Sequence, residues 1–165
     1  MSEDLIIKRI TENLGKIKGV IVSPDNSRLY CITEEGKLMG FWMRSFSYFM
    51  ASSTNLKLTS MALSPDGETF ALGSESNLVV LMKWKIVGNK TLLKGHKGPV
   101  HSLRFTSDGN NVISGGGEGD NTLKKWDLTQ QELLKSYQPL ENPILDLAIS
   151  PNGEYFFVTN GAKIN

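Results

Sequence analysis

A short turn sequence recurs four times along this chain at nearly constant spacing, and this repetition constrains the fold more than any other feature. The copies are Ser23-Pro24-Asp25, Ser64-Pro65-Asp66, Ser107-Asp108-Gly109 and Ser150-Pro151-Asn152-Gly153, and they begin 41 to 43 residues apart. A fixed period of this length indicates one supersecondary unit repeated along the chain. Such a unit cannot cover its own apolar faces, so neighbouring units must stack.

Each turn lies between two short runs of β-type residues. Upstream runs occupy 20–22, 61–63, 103–105 and 147–149, and downstream runs occupy 29–32, 70–72, 112–113 and 155–158. Proline presets φ, aspartate and asparagine bond to their own backbone, and glycine supplies positive φ, so each turn favours a hairpin. The runs are too short, and too often interrupted by glycine and proline, to be helices. The chain is therefore predicted to be all-β.

Each unit has room for two further strands. A corner rich in glycine or glutamate precedes a third apolar run at 37–42, 78–84 and 122–126. These runs contain Trp42, Trp84 and Trp126, which are spaced 42 residues apart. Counting from the turns instead, Phe41 and Met82 fit the end of the third strand equally well, so both alignments stay open. A fourth, more polar strand is clearest at 91–93 and 132–137.

The third unit carries a fuller pattern than the others. It reads Gly95-His96, a strand around 100–105, the turn at 107–109, Ser114-Gly115, Asp120-Asn121-Thr122 and Trp126-Asp127. This pattern resembles the WD40-repeat family, whose units are the blades of a β-propeller. The resemblance implies a hydrogen-bonded structural tetrad of His96, Ser114, Asp120 and Trp126. The corner is about two residues longer than the family pattern, and the other units lack the Gly-His and Trp-Asp pairs, so the tetrad is not extended to them.

The predicted fold class is an all-β, partial WD40 β-propeller with about three complete four-stranded blades and part of a fourth. The units are expected at about 15–55, 56–95, 96–140 and 141–165, the last truncated, within one partial propeller over 1–165. A lone outer strand is expected near 5–10, and the third strand of the last unit would begin at 163–165. Because propellers close with four to eight blades, we expect a fragment of a larger propeller.

The charge balance and the single cysteine narrow the class of protein. The chain has 18 basic and 17 acidic residues, a net charge of +1, which is far from the strongly basic balance of a nucleic-acid-binding domain. With Cys31 alone, no intrachain disulfide forms, which favours an intracellular compartment. No apolar run approaches the length of a membrane span, and the first residues lack the pattern of a signal peptide. No membrane partner is expected.

Few residues in the sequence could carry chemistry. Ser114, His96 and Asp120 could form a nucleophilic triad, but the blade signature accounts for all three, so a buried structural network is predicted. The glycine-rich stretch 115–119 lacks the lysine of a phosphate-binding loop and contains an acid, so a flexible blade corner is predicted. The cysteine and the two histidines lack the paired spacing of zinc sites. No catalytic residue, cofactor, metal or small-molecule substrate is predicted.

From 58 to 164 the sequence is similar to nucleolar WD-repeat subunits of the transcription-linked part of the small-subunit processome. The residues that carry this similarity are Gly95-His96 with 100–103, Ser114-Gly115-Gly116 with Trp126, Pro143-Ile144 and the hairpin 149–156. The resemblance implies a non-catalytic scaffold in the nucleus and nucleolus, acting in rRNA transcription, pre-rRNA processing and ribosome biogenesis. Its partners would be other processome proteins, with indirect or weak contact to U3 snoRNA or pre-rRNA. The basic clusters 83–85 and 94–97 would serve such contact, or would be solvated blade edges.

An alternative function is that of a WD40 adaptor, which presents a peptide to a ubiquitin ligase or a signalling complex. Propellers that read peptides place Arg, Tyr or Trp around the central opening, whereas scaffold subunits use broad side faces. Only Arg104 and His101 lie near strand ends where such a ring would form. The sequence therefore favours the scaffold over the adaptor.

Overall fold

The computed structural model describes residues 15–86 and 90–161, and these residues form antiparallel β-sheets. The strand predicted near 5–10 and the strand predicted to begin at 163–165 lie outside the described residues. Within the two described stretches, no helix has the length and apolarity needed to cross a bilayer.

Fourteen strands within these stretches form three four-stranded blades and one two-stranded sheet. The first blade comprises β1 (Ile17–Val22), β2 (Arg28–Thr33), β3 (Lys37–Trp42) and β4 (Tyr48–Ser53); the second comprises β5 (Leu58–Leu63), β6 (Thr69–Ser74), β7 (Leu78–Lys83) and β8 (Lys90–Lys94); the third comprises β9 (Val100–Phe105), β10 (Asn111–Gly116), β11 (Leu123–Asp127) and β12 (Glu132–Ser136); and the fourth sheet comprises β13 (Asp146–Ile149) and β14 (Phe156–Thr159). Strands that follow each other in sequence are neighbours in each sheet. The all-β prediction, including the fourth strand of each complete blade, is confirmed.

The antiparallel order gives every complete blade two different ends. The connections between its first and second strands and between its third and fourth strands lie at one end, which we call the turn end. The connection between its second and third strands and the link to the next blade lie at the opposite end, the corner end. The link containing His96 and the corner containing Asp120 are therefore neighbours at the corner end of the third blade.

The four repeated turns share one pattern of hydrogen bonds. In each, a hydroxyl donates to the acid or amide oxygen two residues later: Ser23 to Asp25 at 2.5 Å, Ser64 to Asp66 at 2.5 Å, Thr106 to Asp108 at 2.5 Å and Ser150 to Asn152 at 2.6 Å. The same hydroxyl accepts a backbone N–H five residues on, as Thr106 does from Asn111 at 3.1 Å. The third turn therefore begins at Thr106, and its predicted start at Ser107 is wrong, because the hydroxyl that binds Asp108 fixes the register. The bond from Thr106 also lowers the pKa of the Asp108 carboxyl.

The residue after the acid or amide of each turn has positive φ, with values of 56° at Asn26, 71° at Gly67, 72° at Gly109 and 73° at Gly153. We expect Gly109→Ala to lower the free energy of unfolding by about 1 kcal/mol, because a Cβ disfavours the left-handed region. Crowding adds little, since the added Cβ would lie 3.5 Å from its nearest neighbour, Pro65. Gly109→Asn should lose less than half as much, because Asn26 already occupies the equivalent position. Urea unfolding measures both losses, and equal losses would contradict the explanation.

The blades stack side by side through their first strands, β1, β5, β9 and β13, which contact one another in sequence order. Tyr30 and Ile32 of the first blade pack with Leu58 and Phe70 of the second, and all four are fully buried. A second cluster joins the second and third blades and includes Val79, Leu93, Val100, Val112 and Trp126. Each blade thus covers an apolar face that its neighbour cannot cover alone.

Candidate functional site

The four residues predicted to form the tetrad lie together inside the third blade. Ser114 Oγ lies 2.6 Å from His96 Nε2, and Trp126 Nε1 donates to the same hydroxyl at 2.7 Å. The other ring nitrogen of His96, Nδ1, is hydrogen-bonded to Asp120 Oδ2. Exposure is 7% for His96, 0% for Ser114, 7% for Asp120 and 1% for Trp126. The network therefore lies out of reach of solvent.

The hydrogen bonds of this network fit a neutral His96 ring. An indole N–H only donates, so Ser114 Oγ accepts from Trp126 and keeps its own proton available for His96 Nε2. In this arrangement His96 Nδ1–H donates to Asp120. Burial lowers the pKa of His96, although Asp120 acts in the opposite direction. A neutral imidazole fits both the hydrogen bonds and the direction of the pKa.

Thr122 is a fifth member of the network, and the tetrad implied by the WD40 resemblance did not include it. Its Oγ1 donates to Asp120 Oδ1 at 2.8 Å, and the residue is 7% exposed. Both carboxylate oxygens of Asp120 therefore have a partner, one from Thr122 and one from His96. The sequence did contain a signal for this contact, because Thr122 is a hydroxyl residue two positions from Asp120. The hydroxyl and its acceptor are separated by the same number of residues in the four turns.

The glycine-rich stretch after Ser114 is largely buried. Gly115 and Gly116 end β10 and Gly117 follows them, and all three are buried, whereas 118–119 are exposed. A Cβ on Gly115 would lie 2.5 Å from the Ile144 side chain, and a Cβ on Gly116 would overlap the Asp120 carboxylate. The predicted corner is wrong for 115–116, because these two glycines belong to β10 and leave space for side chains that pack against the strand.

The ring of His96 should titrate below its ordinary pKa of 6.5, mainly because charging a buried ring is unfavourable. The unfolded chain then takes up a proton at a higher pH than the folded chain. The contribution of neutral His96 to the free energy of unfolding is therefore complete above pH 6.5. It is lost as the pH falls from 6.5 toward the pKa of His96 in the folded chain. Imidazole proton shifts in an NMR titration measure this, with His101→Gln to assign the two histidines. A folded pKa of His96 at or above 6.5 would contradict the prediction.

The residues predicted near the central opening lie on β9. Arg104 Nη2 is 3.2 Å from Asp146 Oδ1, so this ion pair joins the third blade to the fourth sheet. The side chain of Arg104 is 43% exposed. His101 is exposed and lies beside Gly117. Arg104 is thus already paired with an acid in this structure, while His101 is accessible.

The basic cluster 83–85 is partly occupied by contacts within the chain. Lys85 Nζ pairs with Glu68 at 2.6 Å and lies 5.4 Å from the centre of the Trp84 ring. The Arg28 guanidinium lies over the same ring at 4.9 Å. Trp84 is therefore flanked by two cations of the chain itself, which leaves it poorly placed to stack on a nucleic-acid base.

The Ser-His-Asp group of the third blade has the residues of a hydrolytic triad but the wrong environment. Ser114 is fully buried, and its hydroxyl bonds to both Trp126 and His96. A nucleophile must reach a substrate carbonyl beside an oxyanion hole. Within residues 15–86 and 90–161, no group of three or more His, Cys, Asp or Glu residues is placed to hold a metal ion.

Comparisons with known proteins agree with this geometry. Residues 88–127 match the family model described as "WD domain, G-beta repeat". The Periodic tryptophan protein 2 homolog of Schizosaccharomyces pombe is 33% identical over 113 residues, covering 67% of this chain and 13% of the relative. An uncharacterized WD repeat-containing protein of Synechocystis is 26% identical over 151 residues, covering 88% of this chain and 42% of the relative. The chain thus spans only a part of each.

A solved structure, that of U3-55K, superposes with a TM-score of 0.73 at 18% identity. The superposition covers 80% of this chain and 42% of the U3-55K chain.

Proposed function

We propose that this partial WD40 β-propeller is a non-catalytic scaffold for protein–protein interaction, with repeat units over about 15–55, 56–95, 96–140 and 141–165, the last truncated. The proposal rests on the burial and the hydrogen bonds of Ser114, His96 and Asp120. These buried groups form hydrogen bonds with one another, with Trp126 and with Thr122, so they stabilise a blade and do not face a substrate. WD40 propellers are in general binding scaffolds, which agrees with this assignment.

Within this class, we assign the chain to the small-subunit processome of the nucleolus. Residues 58–164 resemble WD repeat-containing protein seventy-five, a subunit of its transcription-linked part. The similarity to the Periodic tryptophan protein 2 homolog, which is 33% identical over 113 residues, supports the assignment to the WD-repeat class. U3-55K shares only the fold, but its name contains U3, the RNA that the resemblance implies. The role would be in pre-rRNA transcription and processing and in ribosome biogenesis.

Other proteins of the complex are the proposed partners, and RNA contact would be indirect or weak. The net charge of +1 gives little counterion release on binding to a polyanion. The pairing of Lys85 with Glu68 removes one of the cations that the sequence offered for RNA.

Affinity purification of the tagged full-length gene product, with mass spectrometry and quantification of co-purified RNA, tests the proposal. The expected result is recovery of processome proteins together with U3 snoRNA and pre-rRNA, and nucleolar fluorescence of the tagged protein. A Trp126→Ala variant, which should destabilise the third blade, serves as the matched control and should lose these partners. Recovery of a ubiquitin ligase or a signalling complex without processome proteins would overturn the proposal in favour of the adaptor.

A further inference from the structure

The turn end of the first blade contains a pocket of about 470 Å³ that the buried tetrad does not involve. Its walls come from two connections of the blade. The turn between β1 and β2 contributes 25–27, and the end of β3 with the connection that follows it contributes Trp42, Arg44 and Ser45. The volume lies within the range of sites that hold a small ligand or the side chains of a peptide.

Backbone hydrogen bonds hold the two walls in place. Met43 N donates to Ser27 O at 2.9 Å, which ties one connection to the other. Phe46 N donates to Trp42 O at 2.7 Å, and Trp42 N donates to Ser47 O at 2.9 Å, which closes the second connection on itself. The pocket therefore exists before any partner arrives, and binding to it would cost little ordering of the backbone.

Trp42 occupies a position that has a different role in the third blade. By strand register Trp42 is equivalent to Asp127, because Phe41 and Trp126 each pair with the second residue of the preceding strand. Asp127 accepts the backbone N–H groups of Thr129 and Gln130 at 2.7 and 2.9 Å, so it stabilises its turn. Trp42 instead stacks on Phe49 at 4.7 Å and stays 42% exposed. One blade thus presents an aromatic surface where another has a turn-stabilising acid.

The charges around the pocket leave one cation without a partner. Asp25 accepts hydrogen bonds from Ser23, from Ser27 and from Arg28, which lies 3.4 Å away. Both oxygens of this carboxylate therefore already accept hydrogen bonds from the first blade itself. Arg44 is exposed and has no hydrogen-bond or ion-pair partner among residues 15–86 and 90–161. A guanidinium that is unpaired within the described residues thus lies in the same pocket as an exposed indole.

From this juxtaposition we propose that the pocket binds an extended peptide segment of a partner protein, in which an acidic side chain bonds Arg44 and an adjacent apolar side chain packs on Trp42. A guanidinium fork matches one carboxylate in a bidentate geometry. A nucleic-acid chain needs a row of cations that follows its phosphates, whereas the neighbouring cations Arg28 and Lys85 are paired with acids. The inference rests on the proposed scaffold function, since it names the chemistry of one partner.

The test uses the purified full chain, labelled with ¹⁵N, and follows the indole N–H signal of Trp42, assigned with Trp42→Phe. Three probes are compared. The Asp mixture consists of acetylated, amidated pentapeptides Gly-Asp-X-X-Gly, in which X is Leu, Phe, Pro or Val. The Asn mixture has Asn in place of Asp, and the third probe is octauridylate. The Asp mixture should shift the signal at about tenfold lower concentration than the Asn mixture. Arg44→Gln should abolish that tenfold preference, while Lys37→Gln, which removes an exposed cation at the opposite end of the same blade, should preserve it.

Equal response to the Asp and Asn mixtures, or no response to either, would overturn the peptide site. A response to octauridylate at lower concentration than to the Asp mixture would replace it with a nucleic-acid site. All these measurements are made on the isolated chain, so a negative result would overturn the peptide site but not the scaffold proposal, which the affinity purification tests. Conversely, if the purification recovers no processome proteins, the peptide preference can still be measured.

Discussion

Replacing Trp126 with alanine is expected to lower the free energy of unfolding by about 3 to 5 kcal/mol, the range for deleting a large buried aromatic side chain. Trp126 is 1% exposed and packs in the cluster that joins the second and third blades. Its loss also leaves Ser114 without the indole donor. Urea unfolding followed by circular dichroism measures the change, and a loss below about 1 kcal/mol would contradict the assigned role.

The variant Trp126→Phe separates the packing of this residue from its hydrogen bond. Phenylalanine keeps most of the ring but has no N–H to donate to Ser114. We expect a loss of about 1 to 3 kcal/mol, the cost of an unsatisfied buried partner together with some lost volume. A loss as large as that of the alanine variant would show that the hydrogen bond, and not packing, dominates.

Replacing Gly116 with alanine is expected to lower the free energy of unfolding by about 2 to 3 kcal/mol, because the new methyl group would overlap the Asp120 carboxylate and force the network apart. Gly119→Ala, three residues later in the corner that follows β10, is the matched control. A Cβ there has no heavy atom within 4 Å, although its φ of +84° disfavours alanine. Its loss should be only about 1 kcal/mol. Urea unfolding of the two variants gives the comparison, and equal losses would refute the steric explanation.

A double variant tests the same contact directly. If Gly116→Ala acts through the Asp120 side chain, its cost should fall by more than half when Asp120 is already alanine. Residues in contact show such non-additive effects, whereas independent sites add. Additive losses would mean that Gly116 is needed for some other reason.

The hairpins and the strand order were predictable because each depends on a few neighbouring residues. Turn residues and short β-type runs predicted an all-β fold, and the resemblance of the third unit to the WD40-repeat family implied a partial propeller; this fold class is confirmed. The start of the third turn was not, since Thr106 and Ser107 are adjacent hydroxyl residues and both fit the pattern. Only the bond from Thr106 to Asp108 distinguishes them.

The regular spacing of the tryptophans does not reflect structural equivalence. By strand register Phe41, Met82 and Trp126 are equivalent, because they pair with Leu29, Phe70 and Val112. These three are 1%, 6% and 1% exposed. Of the two alignments that the sequence left open, the one counted from the turns is therefore the structural one. Trp84 lies two residues after Met82, and the corner of the third blade is about two residues longer than the family pattern. These two irregularities offset each other, so the interval from Trp84 to Trp126 is still 42 residues.

The surroundings of the tetrad were harder to predict than its members. His96, Ser114, Asp120 and Trp126 follow from a motif in one segment, but the role of the adjacent glycines depends on residues that arrive from elsewhere. Ile144 packs against Gly115 from a segment about thirty residues later in the sequence. A glycine-rich string in isolation reads as a flexible loop, since the sequence does not show which side chain fills the space beside it.

The central claim is that the units are separate blades stacked through their first strands, and nuclear Overhauser effects from glycine α-protons test it most directly. Gly19 lies against Met61, Gly73 against Val100 and Gly115 against Ile144, so each glycine marks one junction between neighbouring sheets. In the isotope-labelled chain, we predict cross peaks for all three pairs. Their absence, with cross peaks from these glycines to residues of non-adjacent units instead, would contradict the stacked-blade arrangement.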